Sequence, residues 1–335
     1  MAYVGRFAPS PTGPLHAGSL IAAVASFCAA RAAGGRWLLR MEDIDPPRAM
    51  PGAADLILRQ LEGYGFEWDG PVLWQHTRLE AYAAAIAQLQ AQGDVFWCRC
   101  SRSDLARTGT AVYPGTCRPH TTPRDDAAIR LRVPAGTVAF TDVVFGSQTE
   151  DVAACVGDFV IRRRDGLFAY QLAVVVDDAW QGVTDVVRGA DLLDNTARQI
   201  VLQRALGLPT PRHLHLPLAL NADGSKLSKQ TFADEIPLPS DSGLLWQALD
   251  FLGQQPPAAL QSAPCSELLA WGTAHWQQAH IPAQSRPLPT DFLAPAQLTS
   301  LPQPSEQPSE QPRLTVPHAT AEQPGSRPKK ESPHA

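Results

Sequence analysis

The chain opens with a short strand, a proline- and glycine-rich turn and a long helix, and this succession restricts the fold more than any other feature. Ala2–Phe7 predicts the strand, Pro9–Pro14 the turn and Leu15–Ala33 the helix. Trp37–Met41 predicts a second short strand, with Glu42, Asp43 and Asp45 directly after it. Strand, glycine-containing turn, helix and strand in that order open a parallel α/β sheet. Ala53–Tyr64 and Arg78–Gln92 predict two further helices. At Val95 the pattern changes to cysteines, turns and short strands across Phe96–Gly157. Phe159–Arg164 and Phe168–Val176 predict a hairpin around Asp165-Gly166. Helical spacing returns at Asp191–Leu206 and a strand at His213–Leu220.

This order predicts an α/β domain interrupted by an insertion. Its first half covers residues 1–95, the insertion 96–175 and its second half 176–235. A small helical region follows at 236–281. Residues 282–335 hold 12 of the 31 prolines and a single aromatic, Phe292. Without apolar periodicity this stretch is expected to be disordered.

Several classes of function are disfavoured. No strongly apolar run reaches the ~18 residues of a membrane span; the longest candidate, Leu15–Ala33, is mostly alanine and carries His16 and Arg31. No basic leader with a cleavage site precedes the first strand, so a cytoplasmic location is expected. The net charge is −5. An RNA partner would therefore have to meet a local basic patch. Arg162, Arg163 and Arg164 are candidates, although on an alternating strand only some share a face.

Two segments carry a phosphate signal. Arg6–Leu20 reads RFAPSPTGPLHAGSL and lies between the first strand and the first helix, where free N–H groups and the helix dipole bind anions. His16 adds a side-chain donor, and Gly18 lets a ligand approach the backbone. The same residues also suit a plain turn with a capping histidine. The second segment, Asn221–Gln230, contains Lys226 and Lys229 after a strand and a glycine turn. Such a cationic loop can close over a phosphate and stabilise charge in a transition state, or be a solvated turn.

Six cysteines occur: Cys28, Cys98, Cys100, Cys117, Cys155 and Cys265. Three of them lie within Phe96–His120, which points to a metal rather than a disulfide framework. Spacing alone nominates His120 as a fourth ligand, through Cys117-x-x-His120. Cys28, Cys155 and Cys265 are expected to be ordinary buried thiols.

Together, HAGS at His16–Ser19 and KLSKQ at Lys226–Gln230 resemble the HIGH-type and KMSKS-type motifs of class I aminoacyl-tRNA synthetases. Ser19 stands where the second histidine of the first motif would be. RFAPSPTGPLH, LRMEDID at Leu39–Asp45, WDGP at Trp68–Pro71 and VRGADL at Val187–Leu192 are similar to the glutamyl/glutaminyl branch. The resemblance spans about residues 3–230, most of the folded chain. It implies a Rossmann-like class I catalytic domain with a zinc-containing insertion and a short helical end. It further implies that Pro9, Gly13, His16, Gly18, Ser19 and Lys229 bind ATP, with His16, Lys226 and Lys229 catalytic and Mg²⁺ assisting. Arg6, Phe7, Ala8, Pro9, Ser10, Glu42, Tyr170 and Arg188 would surround L-glutamate. Arg6 and Arg188 would hold carboxylate, for which the planar guanidinium fork is suited, and Glu42 the ammonium. The alternative for Arg188 is a surface ion pair with Asp185 or Asp191.

The insertion resembles that of glutamyl-Q tRNA(Asp) synthetases, in which Cys98, Cys100, Cys117 and a tyrosine, Tyr113 here, would hold one Zn²⁺. About 50 foldable residues follow Gln230, too few for the anticodon-binding region of a full glutamyl-tRNA synthetase. The implied activity is ATP-dependent, tRNA-independent formation of glutamyl-adenylate. Transfer of glutamate to queuosine in the anticodon stem-loop of tRNA(Asp) follows, by a monomer. Two alternatives stand beside it: charging of the 3′ end of a tRNA, and a non-catalytic zinc-containing RNA-binding paralogue.

Overall fold

The computed structural model describes residues 2–107, 109–110, 112–220 and 235–288. The Lys226 and Lys229 loop lies outside the described residues, as does the chain beyond Leu288. Strand β1 (Val4–Phe7), helix α1 (Ala17–Ala32) and strand β2 (Arg36–Met41) form the expected opening unit, and β1 and β2 pair in parallel. Helix α2 (Ala53–Gly63) leads to β3 (Leu73–Trp74), which pairs in parallel with β2. All of β2 except Arg36 is buried, as expected of a strand covered on both faces.

The second half of the sheet comes from far along the chain. Strand β4 (Val95–Cys98) pairs antiparallel with β5 (Ala128–Leu131), and β5 with β8 (Val160–Arg162). Between them lie helix α4 (Arg102–Arg107), strands β6 (Val138–Asp142) and β7 (Gly146–Glu150) and the one-turn helix α5 (Val152–Cys155). After helix α6 (Tyr170–Gln181), β9 (Asp185–Gly189), α7 (Leu193–Leu206) and β10 (Arg212–Leu216) make a second parallel unit. Strand β10 also pairs in parallel with β6. Just before β9, the Thr184 N–H donates to the Val4 carbonyl (2.9 Å) and the Thr184 hydroxyl accepts the Val4 N–H (2.8 Å). The strands therefore lie β3-β2-β1-β9-β10-β6, and the chain order reverses between β1 and β9.

Helix α1 is apolar all round and is buried accordingly. It packs on β1, β2 and β9 and also on α8 (Ser242–Phe251) and α9 (Cys265–Ala274). A second core joins α3 (Leu79–Gln92), α6 and α7 to β4, β5 and β8.

Three expectations need correction. Phe168–Val176 is not the second strand of a hairpin. Only an isolated bridge joins Arg162 to Phe168, and α6 begins at Tyr170. Packing between α3 and α7 decides for helix over the β-branched run Val174–Val176. The expected insertion boundary at 175/176 consequently lies within α6. Next, Cys28 is buried, which pushes its thiol up to about 12, but Cys155 is exposed and Cys265 half-buried. Cys155 ends a one-turn helix at the surface. Finally, Arg286–Pro287 form a strand, β12, parallel to β11 (Ala219–Leu220). The Arg286 and Leu288 N–H groups donate to Leu218 and Leu220, and the Arg286 guanidinium donates to the Asp250 and Phe251 carbonyls. These bonds hold the start of the proline-rich stretch on the fold.

Candidate active site and sulfur cluster

A cavity of about 500 Å³ opens where the ends of β1, β9 and β10 meet the N-terminus of α1. This is the switch point of an open parallel sheet, where ligands bind outside the carboxyl ends of the strands. Arg6, Phe7, Ala8, Pro9, Ser10, His16, Gly18, Ser19, Glu42, Tyr170 and Arg188 all line it. Residues almost two hundred positions apart are thus brought to one wall. Gly13 is not on that wall. It is buried in the turn with φ 143°, a conformation that favours glycine, so it shapes the loop.

His16 is the N-cap of α1, and its Nδ1 accepts the Ser19 N–H at 3.3 Å. With Nδ1 an acceptor, the ring proton of the neutral imidazole resides on Nε2. The capping role and the donor role are therefore compatible. A Cβ on Gly18 would stand 3.1 Å from His16 Cε1 and 3.2 Å from Nδ1, so any other residue would push the ring by a few tenths of an ångström.

Two arginines of the cavity, Arg6 and Arg188, are buried and individually anchored, whereas Arg48 is exposed. Arg6 Nε donates to Asp178 Oδ1 at 3.2 Å, and Arg40 Nη1 approaches the same oxygen at 2.8 Å. Arg40 Nη2 lies 3.4 Å from Glu42 Oε1. Burial alone would raise the Asp178 carboxyl, but the charges of Arg6 and Arg40 outweigh it and hold it below its usual range. Burial raises the Glu42 carboxyl, against the pull of Arg40 and Arg6, so an arriving ammonium would favour its charged form. Arg188 is 5% exposed and makes no ion pair with Asp185 or Asp191 among the described residues. Its Nε donates to His215 Nε2 (3.0 Å) and its Nη2 to Thr196 Oγ1 (2.9 Å). Paired cations beside one carboxylate suit a zwitterion that bears an additional carboxylate.

The sequence reading missed Thr12, Arg48 and Asp191 on this wall and Arg40, Asp178, His215, Asp142 and Thr196 behind it. Two consecutive acidic residues in the apolar stretch Leu172–Trp180 were the available signal for Asp178. A neighbouring cavity of about 360 Å³ shares Ser10, Thr12, Glu42, Arg48 and Tyr170 and is also lined by Asp43, Asp45 and Arg163. Of the three consecutive arginines, Arg163 faces this cavity, paired with Asp45 (3.5 Å) and Asp165 (2.5 Å). Arg162 lies over the Phe168 ring, and Arg164 donates to the Arg99 carbonyl.

Cys98, at the end of β4, Cys100 and Cys117 place their sulfurs within 4.8 Å of one another. The Tyr113 hydroxyl is 3.5 Å from Cys98 Sγ and accepts the Cys117 N–H at 2.8 Å. The Cys100 and Cys117 sulfurs are 3.6 Å apart. Tetrahedral zinc with Zn–S near 2.3 Å sets sulfurs ~3.8 Å apart, so this donor set fits the ion. His120 is exposed and engages Cys117 only through its backbone N–H (2.9 Å). Burial opposes ionisation of Cys98, but hydrogen bonds from Tyr113 and Arg130 draw its thiol below the usual range. The Arg130 guanidinium stacks 4.1 Å over the Tyr113 ring.

A parallel sheet split by an insertion, with a helix N-terminus and anchored arginines at its switch point, is an architecture suited to seating a phosphate-bearing ligand. Residues 3–236 match the model of the tRNA synthetases class I (E and Q) catalytic domain, and the chain belongs to this family of ligases. Its relatives narrow the branch. The glutamyl-Q tRNA(Asp) synthetase of Ectopseudomonas mendocina (strain ymp) is 59% identical over 281 residues, covering 84% of this chain and 95% of that protein. The protein of the same name from Thiobacillus denitrificans is 56% identical over 288 residues, with the same coverage. Among solved structures, a glutamate tRNA ligase from Elizabethkingia meningosepticum, in complex with its amino acid, shares the fold. Its TM-score is 0.73 at 23% identity, over 87% of this chain and 68% of that one. No helix among the described residues is long and apolar enough to cross a membrane.

Proposed function

We infer that the chain activates L-glutamate with ATP, without tRNA, and transfers the glutamyl group to queuosine in the anticodon of tRNA(Asp), as a cytoplasmic monomer. One observation carries the reading: the anchored pair Arg6 and Arg188 and the carboxylate Glu42 share a cavity with the N-terminus of α1. The relatives' shared name supplies the RNA. Arg6 and Arg188 hold carboxylate, Glu42 the ammonium, and the Ser10 and Tyr170 hydroxyls complete the amino-acid site. Phe7, Ala8 and Pro9 form its floor.

In the first step a glutamate carboxylate oxygen attacks the α-phosphorus in line and pyrophosphate leaves. Positioning and charge stabilisation do most of the work. His16 Nε2–H, the Gly18 N–H and the Ser19 hydroxyl receive phosphate oxygens, the Ser19 N–H being taken by His16 Nδ1. Lys226 and Lys229 neutralise the leaving pyrophosphate; Mg²⁺, when bound, would add charge stabilisation there. In the second step a hydroxyl of the queuosine ring attacks the activated carbonyl, its proton passes to the departing phosphate, an ester forms and AMP leaves. Cys98, Cys100, Tyr113 and Cys117 hold zinc, which supplies a structural crosslink in the insertion when bound.

Pyrophosphate exchange that depends on glutamate and is lost in Lys229→Ala is the expected result for the first step. Absence of exchange with any amino acid would overturn it. Labelled glutamate offered to queuosine-containing and queuosine-lacking tRNA(Asp), and to tRNA(Glu), tests the second. Incorporation only into the modified tRNA(Asp) is expected; incorporation that ignores the modification refutes the RNA assignment.

A further inference from the structure

We propose that His215, backed by Asp142, is the positioning residue that orients the Arg188 guanidinium, with Nη1 outward, toward the carboxylate of the amino-acid substrate. The inference rests on the reading of Arg188 as a glutamate ligand and adds what fixes its geometry. Three neighbouring strands supply the parts. Asp142 ends β6, His215 lies on β10 and Arg188 on β9, and His215 is the direct register partner of Arg188. The line of contacts therefore crosses the sheet beneath the cavity wall.

The hydrogen-bond roles are fixed along this line. Asp142 accepts the backbone N–H groups of Val144 (3.0 Å) and Phe145 (2.9 Å), which immobilise its carboxylate. His215 Nδ1 lies 2.7 Å from Asp142 Oδ2, so the ring donates there. The other nitrogen, Nε2, then presents its lone pair to Arg188 Nε at 3.0 Å. Burial keeps the imidazole neutral, against the Asp142 bond, which favours the cation. The adjacent Nη2 donates to Thr196 Oγ1 (2.9 Å) and the Leu192 carbonyl (3.3 Å). One edge of the guanidinium is thereby consumed by protein.

Nη1 is different. It is buried and makes no hydrogen bond within 3.5 Å to a described residue, the Tyr170 hydroxyl on the same wall being a looser polar neighbour of the guanidinium, and Arg188 lines the cavity. An unpaired buried donor is costly, so it is expected to find its acceptor in a ligand. Asp142, His215 and Thr196 are all about 1% exposed or less, and none of them lines the cavity. They act on substrate only through Arg188.

The test uses the full chain and glutamate-dependent ATP–pyrophosphate exchange, with thermal unfolding as a folding control. In His215→Asn the amide keeps a donor for Asp142 but withdraws the acceptor from Arg188. In His215→Gln an amide oxygen stands near the lost Nε2. His215→Asn should raise the glutamate KM roughly 10-fold or more, the loss of one charge-assisted bond, with the ATP KM held within about twofold. His215→Gln should recover most of that loss. Thr196→Val, a near-isostere, should raise the glutamate KM several-fold, and carries the test if the His215 variants do not fold. Arg188→Ala separates the two levels. If it leaves the glutamate KM unchanged, the reading of Arg188 itself fails. If it raises the KM while His215→Asn and Thr196→Val do not, only the positioning proposal is overturned. Equal losses in His215→Asn and His215→Gln that follow unfolding temperature would assign His215 a purely structural role.

Discussion

Replacing Asp178 by asparagine removes one negative charge from the centre of the arginine network while keeping the shape of the side chain. The carboxylate bonds Arg6 at 3.2 Å and Arg40 at 2.8 Å, and all three side chains are buried. A hydrogen bond to a charged group contributes ~1.5–3 kcal/mol and one between neutral groups ~0.5–1.5 kcal/mol. Asparagine retains one acceptor oxygen and leaves two guanidinium groups short of countercharge. The expected cost is about 2–4 kcal/mol, up to the range for breaking a buried ion pair. At ~2–4 °C per kcal/mol for a domain of this size, the unfolding midpoint should fall by roughly 5–15 °C at pH 7. The glutamate KM should rise as well, because Arg6 loses its anchor. The pH dependence adds a sign. The folded Asp178 carboxyl lies below its ordinary value. Its contribution is therefore complete above the unfolded carboxylate range near ~4 and is lost as pH falls through the lower folded value. The gap between the wild-type chain and Asp178→Asn should stay open at pH ~5 and close only in stronger acid. Scanning calorimetry of both chains across this range is the assay. A midpoint difference below about 1 °C at pH 7, or a gap that widens in acid, would refute the reasoning.

Two more outcomes follow from the geometry. Gly18→Ala improves helix propensity by up to ~1 kcal/mol but sets a methyl group 3.1 Å from the His16 ring. Unfolding temperature should hold or rise while pyrophosphate exchange falls; exchange at the wild-type rate would show that the ring position is immaterial. In the sulfur cluster, Tyr113→Phe should lower bound zinc, measured by elemental analysis, and His120→Ala should leave it unchanged. The reverse result would make His120 the fourth ligand.

The opening of the sheet was legible because its elements are short, strongly patterned and punctuated by proline and glycine. Ten of the fourteen residues from Arg6 to Ser19 therefore line the cavity. Helix α6 was not legible. Its run from Leu172 to Val176 is apolar and β-branched, and burial between two helices hides the amphipathic spacing that would have declared it. Gly182, with φ 68°, was the overlooked stop signal, since a left-handed residue ends the helix there. The supporting groups were harder still. Asp142 meets His215 across 73 positions, His215 meets Arg188 across 27 and Asp178 meets Arg6 across 172, and no local pattern records such meetings.

Helix α1 bears His16 at its start, yet it rests on two foundations laid by opposite ends of the chain. One is the sheet; the other is the pair α8 and α9. At the second, a Cβ on Gly272 would stand 3.2 Å from the Cys28 sulfur and 2.8 Å from Leu249, so the Cys28 and Leu249 side chains rest directly on the Gly272 backbone. For modular engineering this sets a rule. A cut ahead of Ser242 would strip one wall from α1 and expose its alanine-rich face to water.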